Sequence, residues 1–253
     1  MKIVFDERFL ESGYAEDNAA MAGRMEAALS GLRPGPWEFV APVPATPGQL
    51  LLAHDADYLA RVALDPPRSR MAALAAGGAI LAARLAHGGD PAFACVRPPG
   101  HHAARADAWG HCTFSNVALA LLVLREEGRV DSALVLDIDA HTGDGTRKVL
   151  APWPGAEVFN PFASDAGEYL ELVEARLAAS GPVGILAVSA GFDAYRQDVG
   201  HKLDTPDFER IGALARRAAQ RLCGGRRFAV LEGGYYLPDL GANVQAFCRG
   251  FAG

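Results

Sequence analysis

The sequence predicts a three-layer α/β domain on a central, mainly parallel sheet. Three observations carry this. Lys2–Asp6, Ala92–Val96, Ser132–Leu136, Gly184–Ser189 and Phe228–Leu231 are short, nearly continuous apolar runs, the pattern of strands covered on both faces. Helix-length stretches lie between them, as alternating β and α segments require. The residues just after several runs are polar, titratable or glycine-rich, at the edge where open parallel sheets bind ligands.

The elements follow in order. Lys2 and the apolar run Ile3–Phe5 are too short for a signal peptide and read as a buried strand. Helices are expected over Asn18–Leu29, Ala72–Leu85, Asn116–Glu127, Gly167–Ala179 and Pro206–Leu222. The proline-rich stretch Pro34–Pro47 contains Trp37, Phe39 and Val43 and reads as an ordered connection with a short strand. Met71–Ala86 is weakly polar, mostly alanine, interrupted by Gly77, Gly78 and Arg84, and shorter than a membrane span, so a core helix is expected. The last helix is the best marked. Thr205 can cap it and Pro206 suits its first turn. Asp207 favours its positive end, and Gly224–Gly225 stop it. Phe208, Ile211, Leu214, Ala218 and Leu222 form its apolar stripe.

Composition narrows the function. The chain has 253 residues, half of them apolar and 21% charged, which excludes a disordered hub. It has 24 basic and 30 acidic residues, a net charge of −6, and no long basic run, so nucleic-acid binding is disfavoured and cationic substrates are mildly favoured. Cys95, Cys112, Cys223 and Cys248 show no CxxC pair, consistent with reduced thiols and a cytoplasmic setting. No linker or repeat divides residues 1–253, so a single catalytic domain is expected, with no membrane segment.

Four predicted strands deliver chemistry to one edge. Arg97-Pro98-Pro99-Gly100-His101-His102 follows the second, and Asp137-Ile138-Asp139-Ala140-His141-Thr142-Gly143-Asp144-Gly145 the third. Ala190-Gly191-Phe192-Asp193 follows the fourth and Glu232-Gly233-Gly234-Tyr235 the fifth. In extended chain, residues two apart point the same way. Asp137, Asp139 and His141 therefore share a side, and Asp193 supplies a third ligand for a divalent metal with an open position. The bland alternative is a strand-end Asp and His satisfying loop backbone. His101 and His102 suit base and proton-donor roles, each needing a carboxylate such as Asp137 or Asp144 to fix its tautomer. Taken alone, the pair also reads as surface loop histidines. Tyr235 after two glycines could donate to a developing oxyanion, with Tyr236 as the neighbouring candidate and a buried aromatic as the plain reading. Arg216, Arg217, Arg221, Arg226 and Arg227 read as a solvated helix face, Cys112 as a buried reduced thiol, and His54, His87 and His201 as loop or helix-end residues.

Together R-P-P-G-H-H-A, G-H-C-x-F-S-N-V-A, D-I-D-A-H-x-G-D-G-T, S-A-G-F-D-A and L-E-G-G-Y resemble the zinc-dependent histone deacetylase superfamily, which includes acetylpolyamine amidohydrolases. His54-Asp55-Ala56-Asp57-Tyr58-Leu59 resembles an earlier segment of it, and the match runs in order from about residue 50 to the C-terminus. The resemblance implies the arginase–deacetylase fold. It implies zinc on Asp139, His141 and Asp193, a donor set that accepts ferrous iron as well. His101 and His102 would work with Asp137 and Asp144, and Tyr235 would polarise the carbonyl. Gly110, His111 and Gly234 would contact substrate, and a structural potassium ion would sit by Asp137, Asp139 and the His141 carbonyl. The implied reaction removes an acyl group from a small acylated amine or acyl-lysine.

The departures are specific. Thr142 follows His141 where the family usually has a second histidine, and His111 stands where a tunnel phenylalanine is usual. The segment between Gly145 and the Asp193 strand is short, leaving Phe159 or Phe162 as candidates for the second tunnel aromatic. The N-terminal segment is also compact, so a shallower, more open pocket is expected. The competing readings are a catalytically inactive binding protein and a two-manganese ureohydrolase. The latter needs acids where Gly143 and Tyr195 stand.

Overall fold

Seven strands form one all-parallel sheet in the computed structural model, which describes residues 1–253. They are β1 (Lys2–Val4), β2 (Glu38–Val40), β3 (Ala92–Ala94), β4 (Ala133–Asp137), β5 (Ala156–Phe159), β6 (Ile185–Ala190) and β7 (Arg227–Leu231). Their spatial order is β2-β1-β3-β7-β6-β4-β5. Every residue of β3, β4, β6 and β7 is buried, as their mainly apolar sequences favour, with Asp137, Ser189 and Arg227 buried at or near strand ends. Register pairs Asp137 with Ser189 and Ala190 with Leu231, so β4, β6 and β7 end in line.

Nine α-helices complete the layers: α1 (Arg24–Leu32), α2 (Pro47–Ala53), α3 (Ala56–Val62), α4 (Pro66–His87), α5 (Asn116–Glu126), α6 (Asp144–Leu150), α7 (Ala166–Ala179), α8 (Thr205–Cys223) and α9 (Leu237–Ala252). α4 packs on α5 and against β1, β3 and β7, while α9 joins α1 to α8, and α8 lies on β6. The result is the predicted three-layer α/β/α architecture, with every strand parallel. One apolar core runs from Ile3 to Phe251.

Several boundaries differ from the sequence reading. α1 begins at Arg24 rather than Asn18, because Gly23 turns the chain at φ +84° and Asp17 accepts from the Ala20 amide in the turn before it. α8 is capped one residue early. Asp207 accepts from the Asp204 amide, while the Thr205 hydroxyl donates to Asn243 Oδ1. α4 spans 22 residues and is long and apolar enough to cross a membrane, yet 67% of its apolar window is buried in the protein. A Cβ on Gly77 would meet the Val43 carbonyl oxygen at 1.9 Å, so only glycine lets α4 approach that loop.

The arginine group also divides. Arg226 and Arg227 lie beyond α8, and Arg227 is buried on β7, donating to the carbonyls of Phe251, Ala252 and Gly225. Arg221 donates to the C-terminal carbonyls of α7, where a cation complements the helix dipole. His54 ends α2 as expected but is fully buried. Its Nδ1 donates to the Ala104 carbonyl and its Nε2 accepts from the Ser115 amide. His87 closes α4, and His201 sits in a loop at φ +46°.

Candidate metal centre and its imidazole pairs

The chemistry collects beyond the C-terminal ends of β3, β4, β6 and β7. Asp139 and His141 follow β4, Asp193 follows β6, and Gly233 and Tyr235 follow β7. Nδ1 of His141 lies 3.0 Å from Asp139 Oδ1 and 3.0 Å from Asp193 Oδ2. Asp139 and Asp193 are buried, His141 is half exposed, and their ligand atoms lie within 4.8 Å of one another.

These residues fit a divalent cation. Burial, reinforced by Asp139, pushes the Asp193 carboxyl up to about 7, and its buried Oδ2 is approached by His141 Nδ1 at 3.0 Å without a well-aligned hydrogen bond. The two carboxylates raise the His141 imidazole to about 10. Two buried acids and one imidazole thus form a site of excess negative charge, and an Asp2His donor set suits zinc or ferrous iron. The backbone is fitted closely around it. The Gly233 amide donates to Asp139 Oδ2 at 2.9 Å, and a Cβ there would meet Asp139 Oδ2 at 2.6 Å and Asp193 Cγ at 2.7 Å. The acids a second metal would require are missing. Gly143 backs onto Asp137, and the Tyr195 hydroxyl donates to Asp239.

Both histidines of the pair reach the site. His101 Nδ1 donates to Asp137 Oδ2 at 3.2 Å, and its Nε2 is 3.7 Å from Asp139 Oδ1. His102 Nδ1 donates to Asp144 Oδ1 at 3.0 Å. The two rings lie 3.9 Å apart. Burial lowers His101, but Asp139, Asp137 and Glu232 outweigh it, holding the imidazole well above its usual range. His102 falls to about 4, through burial and then the adjacent His101 charge. Asp144 is held to about 2. Its partial burial is outweighed by hydrogen bonds from Lys148, His102 and Trp109.

Tyr235 lines the same cavity, and its hydroxyl makes no hydrogen bond within the protein. Burial raises its phenol well above the usual value, keeping the proton available for donation. Gly110, His111, Gly233, Trp109, Val199 and Asn18 are among the other lining residues of this cavity of about 190 Å³. Gly234 does not line it. At φ +124° it turns the chain, and its carbonyl accepts from Arg24 Nε. Neither Phe159 nor Phe162 lines it either. Phe162 is 90% exposed and Phe159 packs beneath Arg176. His111 turns its ring edge to Tyr235, and burial lowers its imidazole. Cys112 is buried, accepting from the His102 amide, and burial raises its thiol. A larger cavity of about 540 Å³ lies between Tyr14 and α4 but contains no imidazole.

The sequence reading assigns no role to four supporting residues. Arg24 is buried beneath Tyr235, its guanidinium 5.3 Å from the ring centre, and donates to the Glu232 and Gly234 carbonyls. Glu232 Oε2 accepts from the Gly100 and His101 amides, fixing the turn that presents the histidines, and burial raises its carboxyl to about 7. Asp198 accepts from the Tyr235 and Tyr236 amides. Trp109 stacks on His102. The first is a lone arginine in a helix and the third an acid in a polar loop, with no local signal. Glu232 lies within the quoted L-E-G-G-Y, and Trp109 just before G-H-C-x-F-S-N-V-A.

The family model for the histone deacetylase domain matches residues 19–169, more than half of the chain. The chain belongs to the histone deacetylase family. A histone deacetylase-like amidohydrolase from Pseudomonas aeruginosa is 30% identical over 79% of this chain and 68% of its own length. Mouse polyamine deacetylase HDAC10 is 31% identical over 87% of this chain and 43% of its own length. A chloroplastic histone deacetylase 10 from rice is 31% identical over 64% of this chain. The chain spans 44% of that rice protein, less than half. The crystal structure of the HDA15 HD domain superposes with a TM-score of 0.84, covering 98% of this chain and 90% of that one at 24% identity. This family member therefore has the arginase–deacetylase fold.

Proposed function

We propose that the protein is a metal-dependent amide hydrolase that removes an acetyl or similar acyl group from a small acylated amine. The observation that carries this reading is the meeting of Asp139, His141 and Asp193 with two imidazole–carboxylate pairs and a free phenol around one cavity. Asp139, His141 and Asp193 would hold the ion. When bound, zinc or ferrous iron supplies Lewis acidity to the acyl carbonyl and to the attacking water.

The chain's own groups divide the remaining work. His102, neutral across the ordinary pH range, takes the proton from the attacking water through Nε2, since Asp144 occupies its Nδ1. Proton return from His102 to the departing nitrogen then completes amide cleavage. His101, held by Asp137 through Nδ1, presents Nε2 to the cavity and stabilises negative charge as it grows on the carbonyl oxygen. Tyr235 donates its hydroxyl hydrogen to the same oxygen.

A small cationic substrate is supported by the cavity of about 190 Å³, the net charge of −6 and the polyamine deacetylase among the relatives. Zinc-loaded protein should cleave at least one member of a panel of acetylated polyamines, an acetyl-lysine peptide and longer acyl-lysines. Asp193→Ala and Tyr235→Phe should lose that activity. Absence of turnover across the panel with one metal ion bound per chain would sink the reading and favour a binding role.

A further inference from the structure

We infer that Trp109 is a positioning residue that locks His102 and Asp144 together from the solvent side, an inference resting on the hydrolase reading above. The indole lies flat on the His102 ring, with centroids 3.6 Å apart and planes 29° apart. The His101 ring also packs on His102, at 3.9 Å and tilted by 40°, so His102 is held between an imidazole and the indole. Trp109 Nε1 donates to Asp144 Oδ1 at 3.0 Å, and the same oxygen accepts from His102 Nδ1 at 3.0 Å. One side chain thus fixes both members of the pair.

Trp109 is 52% exposed, so core burial alone does not account for its placement. The next residue contributes as well. Gly110 takes φ +60°, and a Cβ there would meet His102 Cδ2 at 3.2 Å, so the Trp109–Gly110 segment wraps the imidazole closely. Rotation of the His102 ring would break the stack and the Nδ1 bond together. With both intact, Nε2 is the only free nitrogen. The role is therefore in turnover rather than in substrate affinity.

Two measurements on the zinc-loaded full chain test this. Histidine-selective 1H–15N spectra, assigned with His102→Gln, report the tautomer of His102 and the ring-current shift imposed by the indole. Trp109→Ala should erase that shift and the single Nδ1–H tautomer. It should lower kcat about tenfold, a misplacement effect, with KM changed less than about twofold and zinc content unchanged. Trp109→Phe keeps an aromatic face on His102 and should recover most of kcat. This second variant separates positioning from loss of folding. An unchanged His102 spectrum in Trp109→Ala overturns the inference. So does a raised KM at unaltered kcat, which would make Trp109 a wall for substrate. If wild type cleaves no acyl amide while the spectra change as described, the hydrolase reading fails and the stack stands.

Discussion

The two imidazole–carboxylate pairs share a bonding pattern and differ in surroundings. His101 and Asp137 are sealed inside the sheet edge, at 4% and 0% side-chain exposure, among Asp139 and Glu232. His102 is nearly as buried, at 6%, but its partner Asp144 is 30% exposed and held also by Lys148 and Trp109. The inner imidazole, surrounded by acids, keeps its proton. The outer one, beside that cation and between two rings, loses it. Hydrogen bonding to a carboxylate therefore does not decide which histidine is the base. Burial, set against the charges around each ring, does.

The largest test removes the base itself. His102→Ala should lower kcat by about a thousandfold, the scale of general acid–base catalysis, in steady-state assays of the metal-loaded protein. A loss below tenfold would move the base elsewhere. Next comes stability. Asp137→Asn removes the carboxylate bonded to a buried imidazole and should cost about 3 kcal/mol in urea unfolding, whereas Asp144→Asn should cost less than about 1 kcal/mol. Equal costs would erase the distinction between inner and outer pairs.

His54 sharpens it as an imidazole hydrogen-bonded to backbone alone. Burial lowers it to about 4 in the folded chain, against an unfolded value of 6.5. The unfolded chain thus binds the proton more readily. The stability from neutral His54 is full above pH 6.5 and is lost as pH falls to 4, by about 3 kcal/mol. His54→Gln should show a correspondingly smaller loss in urea melts at pH 7 and pH 4.5. An unchanged slope would mean that another group carries the acid sensitivity. The smallest expected effect is at the rim. Lys148 is 59% exposed, so Lys148→Gln should change kcat less than about twofold.

Much of this was legible in the chain because the ligands sit directly after strands. The runs Ser132–Leu136 and Gly184–Ser189 signal β4 and β6, and Asp139, His141 and Asp193 lie just beyond them. The edge strand β5 was not, since Ala156–Phe159 is short, carries Glu157 and is only partly covered. α9 was overlooked although Leu240, Val244, Phe247 and Phe251 give its buried stripe. Arg24, Asp198 and His54 act through backbone groups far away in sequence, and such partners have no local pattern. Trp109 illustrates the same limit beside a motif. Its position before Gly110 was in view, but the stack on His102 exists only after the loop closes.

The strand order β3-β7-β6-β4 bears on synthesis. β7 is the last strand made, yet it lies between β3 and β6 and carries Glu232, Gly233 and Tyr235 at its end. Until the ribosome has released Arg227–Leu231, β3 and β6 each present an open edge to other nascent chains. During that interval the acids after β4 and β6 lack the Gly233 amide that braces Asp139. Maturation of the centre is therefore expected to be a late step, completed only when the sheet is zipped from its middle.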